Sequence, residues 1–261
     1  MLPTRIRGVL TWLATLLAVL FVVMVAWRPA PAATFTVNPT RVSLSAKARS
    51  ALLTLKNTSD HPVRFQLDVV QWHQNSRGEM SFAPTTEIVV FPKLVTLAPR
   101  QERNVRLGTT LPPGPVERAF RIFIEELPPS AASGEVGGAP SAVRILTRVG
   151  IPIFVEPGQA REALTLAAPA LREGRVRFEL KNGGNVHVVP TSIMVRGYRG
   201  AEVVFEQDAR SWYILAGGTR EYDLVVPAEA CATVSAVVVA VELSRRTLAE
   251  RADVQATGCS P

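Results

Sequence analysis

The chain has 261 residues, of which 47% are hydrophobic and 20% are charged. This composition excludes a disordered or collagen-like chain, because it supplies enough apolar side chains for a core. The length suggests about two domains. The formal net charge is +7, from 29 basic and 22 acidic residues scattered along the chain. A surface built to bind nucleic acid is therefore not expected.

The first 33 residues have the features of a secretory signal. Arg5 and Arg7 precede an uncharged, mostly apolar run, and small residues suited to a signal peptidase follow it at 30–32. We expect cleavage after Ala32 or Ala33. The run of about 18 residues is also just long enough to span a bilayer, so an uncleaved anchor is the alternative. Either way, the rest of the chain faces an oxidising, extracytoplasmic space.

The sequence contains only two cysteines, Cys231 and Cys259. The expected location favours a disulfide between them, which would close a loop of about 29 residues and stabilise the fold by roughly 3–4 kcal/mol. Two unpaired thiols are the alternative. With only three histidines beside these cysteines, neither a structural zinc site nor another metal site is predicted.

After residue 34, short segments alternate apolar and polar residues with the period of a strand that buries one face. Turn residues separate them, as at Asn75-Ser-Arg-Gly78. This spacing indicates an all-β fold of antiparallel sandwiches with little helix. Because Glu156-Pro-Gly158 is suited to a linker, we predict two domains, at 34–156 and 157–261. One of the predicted strands in the second domain covers 188–195.

The first domain resembles the periplasmic pilus-assembly chaperones, the PapD-like proteins of the chaperone–usher pathway. The similarity lies in short segments that follow the family's order, among them Val37-Asn-Pro-Thr-Arg-Val42, Leu53-Thr-Leu-Lys-Asn57, Gln71-Trp72, Ile88-Val-Val-Phe-Pro92, Phe120 to Pro129 and Ile151-Pro-Ile-Phe154. The second domain is similar mainly through Leu180-Lys-Asn-Gly-Gly-Asn185. The resemblance implies two immunoglobulin-like β-sandwich domains in tandem, in a boomerang arrangement.

The resemblance also implies a function, that of a chaperone for fimbrial subunits. Such a chaperone binds pilin subunits in the periplasm and delivers them to an outer-membrane usher. A pilin lacks the last strand of its own sandwich, and the chaperone lends one of its strands by donor-strand complementation. The lending strand corresponds here to about 142–151. By alternation, five donor-strand residues share one face: Val143, Ile145, Thr147, Val149 and Ile151. An ordinary core strand would show the same pattern.

The family anchors the C-terminal carboxylate of the pilin with an Arg on the first strand and a Lys late on the lending strand. The Arg corresponds to Arg41, but the Lys position falls on or beside Pro152. Arg148 lies four residues earlier and on the same strand face. We therefore expect Arg41 and Arg148 to form the anchor; solvated strand arginines are the alternative.

No catalytic signature such as G-x-S-x-G, H-E-x-x-H or a P-loop occurs. We therefore expect no enzymatic activity, no cofactor and no use of ATP. His61, His73 and His187 are expected at the surface. A homodimer in which two chains cap each other is left open. The alternative function is that of a secreted or membrane-anchored immunoglobulin-like structural or adhesive protein without chaperone activity.

Overall fold

The structure is a computed structural model that describes residues 35–128 and 146–254. Its N-terminal part forms two sheets of ten strands in all. The first sheet is antiparallel, in the order β1 (Phe35–Asn38), β3 (Ser50–Asn57), β8 (Glu102–Thr109) and β6 (Ile88–Phe91). The second has the order β2 (Val42–Leu44), β10 (Arg148–Val155), β9 (Arg118–Leu127), β4 (Val63–Gln74) and β5 (Met80–Pro84). Strand β7 (Leu94–Leu97) also pairs with β4, and only the β2–β10 pair is parallel.

Alternating side chains explain why these two sheets pack face to face. On β9, Phe120, Ile122 and Ile124 are fully buried, while the residues between them lie on the opposite face of the sheet. The first sheet contributes buried residues such as Leu53 and Leu107 to the same core. This core is the usual filling of a β-sandwich, in which the inner faces interdigitate and the outer faces stay free for other contacts.

The C-terminal part forms a second sandwich with a separate core. In one sheet, β13 (Arg175–Asn182) pairs with β11 (Leu164–Leu166), β12 (Ala170–Arg172) and β16 (Thr219–Val225). The other has the order β15 (Glu202–Asp208), β14 (Ser192–Arg199), β17 (Ala236–Glu242) and β18 (Thr247–Asp253). Valines of β17 and the aromatic pair Phe178 and Tyr222 belong to the second core. The four-residue helix α1 (Ala228–Cys231) is the sole helix in the part of the chain that the structure describes.

The predicted fold class, two all-β immunoglobulin-like sandwiches with almost no helix, is confirmed. The boundary at residue 156 stays a prediction. No helix among residues 35–128 and 146–254 is long and apolar enough to cross a membrane. The expected signal peptide, residues 1–33, lies outside the described residues.

The strand predicted for 188–195 is wrong at its start. Strand β14 begins at Ser192 and continues to Arg199, while Val188 forms only an isolated bridge with Ile214. Pro190 separates the two. Because proline has no backbone N–H, it cannot donate to a ladder and interrupts the run of apolar residues.

Candidate functional site: the open edge of strand β10

One of the two edges of strand β10 is only partly paired with another strand. On one side it pairs with β9 over its whole length, from Arg148 to Val155. On the other side β2 pairs with residues 153–155 alone. Within the described residues, the segment 148–152 therefore has one edge without a strand partner. We call this segment the open edge.

The backbone groups that point out of the open edge follow from two hydrogen bonds at its ends. The N–H of Glu126 on β9 donates to the carbonyl of Thr147 at 2.9 Å, and the N–H of Glu156 donates to the carbonyl of Leu44 beside β2 at 2.8 Å. Since the direction alternates along a strand, odd-numbered residues bond to β9 and even-numbered residues point the other way. Arg148 and Gly150 thus present a free N–H and C=O each.

Pro152 marks where the row of free donors ends. Its missing N–H falls on the open side, so the proline costs no hydrogen bond to β9. From residue 153 onward, β2 covers the edge. A row of unpaired strand groups is a template for another strand, which would add to this sheet by backbone pairing.

The structure places the predicted donor-strand residues differently along the strand. Ile151 is 3% exposed and lies in the core of its own sandwich. Val149 packs against the same core and is half-buried, as is Thr147. Val143 and Ile145 lie outside the described residues. The odd-numbered side chains at the C-terminal end of β10 therefore fill the core of the chain's own sandwich.

The two predicted anchor arginines are not brought together. The β2–β10 register aligns Val42 with Ile153, which puts the exposed Arg41 beside Pro152. Arg148 lies about 13 Å further along the strand. Its guanidinium lies 4.0 Å from the ring centroid of Phe123, and its Nε is 3.4 Å from a carboxylate oxygen of Glu125.

A cation that the sequence patterns did not indicate, Arg121, lies in the row of Pro152. Arg121 on β9 is the direct cross-strand partner of Pro152, and it is 7% exposed. Its guanidinium carbon lies 4.8 Å from the centroid of the Trp72 ring, and its Nη1 is 2.9 Å from the sulfur of Met80. Burial lowers the pKa of Arg121 from its usual value, because the charged form loses water. The alternation of residues on β9 could have indicated that Arg121 lies on the outer face of the sheet, but not that it is buried there.

The same outer face of the second sheet contacts the C-terminal sandwich. The ring of His187 stacks on Phe154 of β10, with 3.8 Å between the centroids, and Tyr213 lies against both. Glu117 holds His187 through its Nδ1 at 2.8 Å and its backbone N–H at 2.9 Å. The expectation that His187 lies at the surface is wrong, since its side chain is only 15% exposed. These contacts fix the second sandwich beside the open edge.

The cysteine pairing is only partly visible. Cys231 ends α1, is buried and is disulfide-bonded. Cys259 lies outside the described residues, so its pairing with Cys231 stays a prediction. Among the residues described, no group of three His, Cys, Asp or Glu side chains could hold a metal ion.

Comparison with known proteins identifies the N-terminal sandwich. Residues 34–161 match the sequence family described as "Pili and flagellar-assembly chaperone, PapD N-terminal domain". The N-terminal sandwich is thus similar to a PapD-type chaperone domain. This family is one of assembly chaperones, not of enzymes, and the resemblance noted from short motifs is confirmed. No curated protein matches the chain.

Solved structures agree with this family at the level of the fold. The complex of the chaperone CsuC with the tip subunit CsuE, from archaic Csu pili of Acinetobacter baumannii, contains a chain of 17% identity with a TM-score of 0.58. The match covers 85% of this chain and all of that one. The YadV chaperone is 13% identical, with a TM-score of 0.56 over 85% of this chain and all of that one. A SafA pilin–SafB chaperone complex of Salmonella enterica gives 15% identity and a TM-score of 0.54, covering 86% and 98%.

Proposed function

We propose that this protein is a periplasmic chaperone that binds pilin subunits by donor-strand complementation and delivers them to an outer-membrane usher. The observation that carries the proposal is the open edge at 148–152 within a PapD-type domain. The segment before it contains Val143 and Ile145 and continues the alternation of apolar residues in the sequence. It would supply the side chains that fill the groove of a client subunit.

Sheet chemistry explains what the client gains. A pilin without its last strand exposes a groove of apolar side chains and a row of unpaired backbone groups, and both favour aggregation. A lent strand pairs with those backbone groups, and its alternate side chains enter the groove. Each apolar side chain that becomes buried contributes roughly 1.5–3 kcal/mol. Exchange against the N-terminal extension of another subunit would then release the client without ATP.

The other parts of the proposal come from the family and from the sequence. The signal-like residues 1–33 support secretion into the periplasm. Arg41, exposed beside Pro152, would bind the C-terminal carboxylate of the client. Capping of a second copy through the open edge would give a homodimer in the absence of client.

The test compares capture of the client by variants substituted on opposite faces of the strand. The wild-type chain, expressed in its own bacterium, should co-purify with a small secreted β-protein that is insoluble when expressed alone. Ile145→Asp should lower this binding at least tenfold, because it places a charge in the groove. Leu146→Asp is the matched control: the neighbouring side chain lies on the other face, so binding should persist.

Two results would overturn the proposal. One is equal binding by wild type and Ile145→Asp. The other is a wild-type chain that recovers no such subunit and remains functional as a surface protein, which would favour the structural or adhesive alternative.

A further inference from the structure

Met80 on β5 is open to solvent and at the same time in contact with a buried cation. The residue is 42% exposed, so an oxidant in the surrounding solution can reach it. Its sulfur accepts a hydrogen bond from Nη1 of Arg121 at 2.9 Å, and Arg121 itself is only 7% exposed. Because a thioether is a weak acceptor, this contact leaves much of the hydrogen-bonding capacity of the guanidinium unused.

The guanidinium of Arg121 has no anionic partner in the part of the chain that the structure describes. No carboxylate oxygen there lies within 4.0 Å of it, whereas Arg118 on the same strand pairs with Glu87 at 2.5 Å. Its Nε is buried without an acceptor. The phenol of Tyr213, which acts on the charge of Arg121, is neutral at pH 7. Since burying an unpaired charge is costly, an acceptor oxygen beside this guanidinium would stabilise the fold.

Two more buried donors in the neighbourhood of Met80 lack an acceptor among the described residues. The Nε1 of Trp72 is one of them, and the guanidinium carbon of Arg121 lies 4.8 Å from the centroid of the Trp72 ring. The other belongs to Gln74, the direct cross-strand partner of Met80, whose amide Nε2 and Oε1 are both buried without a partner. Directly opposed side chains share one face of a sheet. The sulfur of Met80 is therefore a single weak acceptor in a region rich in unsatisfied donors.

We propose that Met80 is a site of oxidation to methionine sulfoxide by a peroxide, and that Arg121 binds the new oxygen. A lone pair of the sulfur attacks one oxygen of hydrogen peroxide. The S–O bond forms, the O–O bond breaks, and the second oxygen leaves as water. The sulfur is thereby oxidised by two electrons and the peroxide is reduced by two. A methionine sulfoxide reductase reverses the modification.

The surroundings of Met80 should reverse the usual effect of this modification on stability. A sulfoxide normally disrupts a fold because it places a polar group among apolar ones. Here the oxygen would meet a buried cation, and a hydrogen bond to a charged group is about twice as strong as a neutral one. Methionine is unbranched and has three rotatable bonds, so the S–O bond can turn toward the guanidinium. Oxidation should therefore fix β5 more firmly to β9.

Met194 provides a comparison within the same chain. Met80 and Met194 are the only methionines after residue 33. Met194 is half-buried on β14, and within the described residues no hydrogen bond joins its sulfur to a cation. Replacing Met194 by leucine leaves Met80 to report alone on oxidation of the two sandwiches.

The experiment treats the purified protein with hydrogen peroxide and compares the melting temperature of each variant before and after treatment. Peptide mass spectrometry measures the oxygen added at each methionine. In Met194→Leu, oxidation should raise the melting temperature by roughly 3–10 °C, the shift of one hydrogen bond to a charged group. With Arg121→Leu added, oxidation should lower it, because the sulfoxide has lost its charged donor. Arg118→Leu in the same background is the matched control and should keep the full rise, since Arg118 is paired with Glu87.

Three results would overturn the proposal. They are a lower melting temperature after oxidation of Met194→Leu, an equal rise in the presence of Arg121→Leu, and a Met80 that stays unmodified when Met194 is oxidised. The double variant Met80→Leu, Met194→Leu should show no shift, which excludes effects of peroxide elsewhere. If Arg121→Leu does not fold, Arg121→Lys should give a smaller rise than Met194→Leu alone, and an undiminished rise would overturn the role of Arg121. None of these measurements involves a client, so they stand apart from the proposed function.

Discussion

At the scale of single residues, two buried asparagines perform the same task in both sandwiches. Asn57 ends β3, and its Nδ2 lies within 3.2 Å of the carbonyls of His61, Leu97 and Ala98. Asn182 ends β13 and holds the carbonyls of Val186, Ile214 and Leu215 in the same way. Each side chain satisfies loop carbonyls that would otherwise be buried without a donor. The repeated Leu-Lys-Asn sequence at both sites therefore reflects a structural need, not client binding.

Unlike the side chains of these asparagines, the buried hydroxyl of Tyr222 has no hydrogen-bond partner. Its ring stacks on Phe178 at 4.7 Å between centroids, and burial raises the pKa of its hydroxyl above the ordinary 10.0. A raised pKa in the folded state stabilises the fold below pH 10, and this contribution is lost as pH rises further, because the unfolded chain ionises first.

We expect Tyr222→Phe to leave stability at pH 7 unchanged or higher by up to about 1 kcal/mol, since it removes an unsatisfied group. Between pH 10 and 11 the variant should lose less stability than wild type. Urea unfolding at pH 7 and between pH 10 and 11 measures the change in stability and its pH dependence. A variant that is clearly less stable at pH 7 would show that the hydroxyl has a partner after all.

At the scale of the element, the open edge of β10 allows the backbone and side-chain contributions of Arg148 to client binding to be tested separately. The N–H of Arg148 points away from β9, so its loss does not weaken the chaperone's own ladder. The side chain of Arg148 instead interacts with Glu125 and Phe123 on the half-exposed outer face, where an ion pair contributes little.

We therefore expect Arg148→Pro to weaken client binding by roughly 3- to 10-fold, the value of one backbone hydrogen bond. Arg148→Ala keeps the N–H and should bind almost as well as wild type. Val149→Pro removes a bond to β9 and should lower the melting temperature instead. Equal binding by Arg148→Pro and Arg148→Ala would mean that the edge at this residue does not pair with the client.

Sequence alternation found the strands that bury one face and missed those that do not. β9 and β10 were evident because every second residue is apolar. β18 was missed, since it is an edge strand whose residues are mostly polar on both faces and exposed. β5 was missed for the same reason, because Met80 and Phe82 are its only large apolar residues and both are half-exposed.

The parts of the candidate site that lie within one continuous segment of sequence could be predicted. The segment leading into the open edge and the position of Arg41 followed from the family motif. Arg121 did not, because an arginine between apolar residues of a strand is normally a solvent-facing one. Its burial depends on Met80 and Trp72 from other strands, and only the assembled sheet brings these together.

At the scale of the whole molecule, one group of aromatic rings connects the two sandwiches. Phe154 projects from the outer face of β10 and contacts Trp72, His187 and Tyr213. The carboxylate of Glu117 contacts the ring Nδ1 of His187. Because β10 carries both Phe154 and the open edge, the C-terminal sandwich packs against the same strand that has the open edge.

We expect Phe154→Ala to cost about 3–5 kcal/mol, as for other large core truncations. Amide exchange should become faster around His187 and Tyr213 as well as in β10. Ile153→Ala is the control, since this neighbour faces only the N-terminal core and should change exchange in that sandwich alone. Identical exchange patterns in the two variants would show that the aromatic contacts do not couple the sandwiches.

The missing N–H of Pro152 has a consequence for which clients can be accommodated. In the proposed complex, a client strand along the open edge would meet its last free donor at Gly150, so Pro152 would set where the pairing ends. A shift of the client by one residue would turn the apolar side chains of the lent strand away from the client's groove. Under the proposed function, subunits of quite different sequence would share this chaperone, provided that they keep the same spacing between their last residue and their groove.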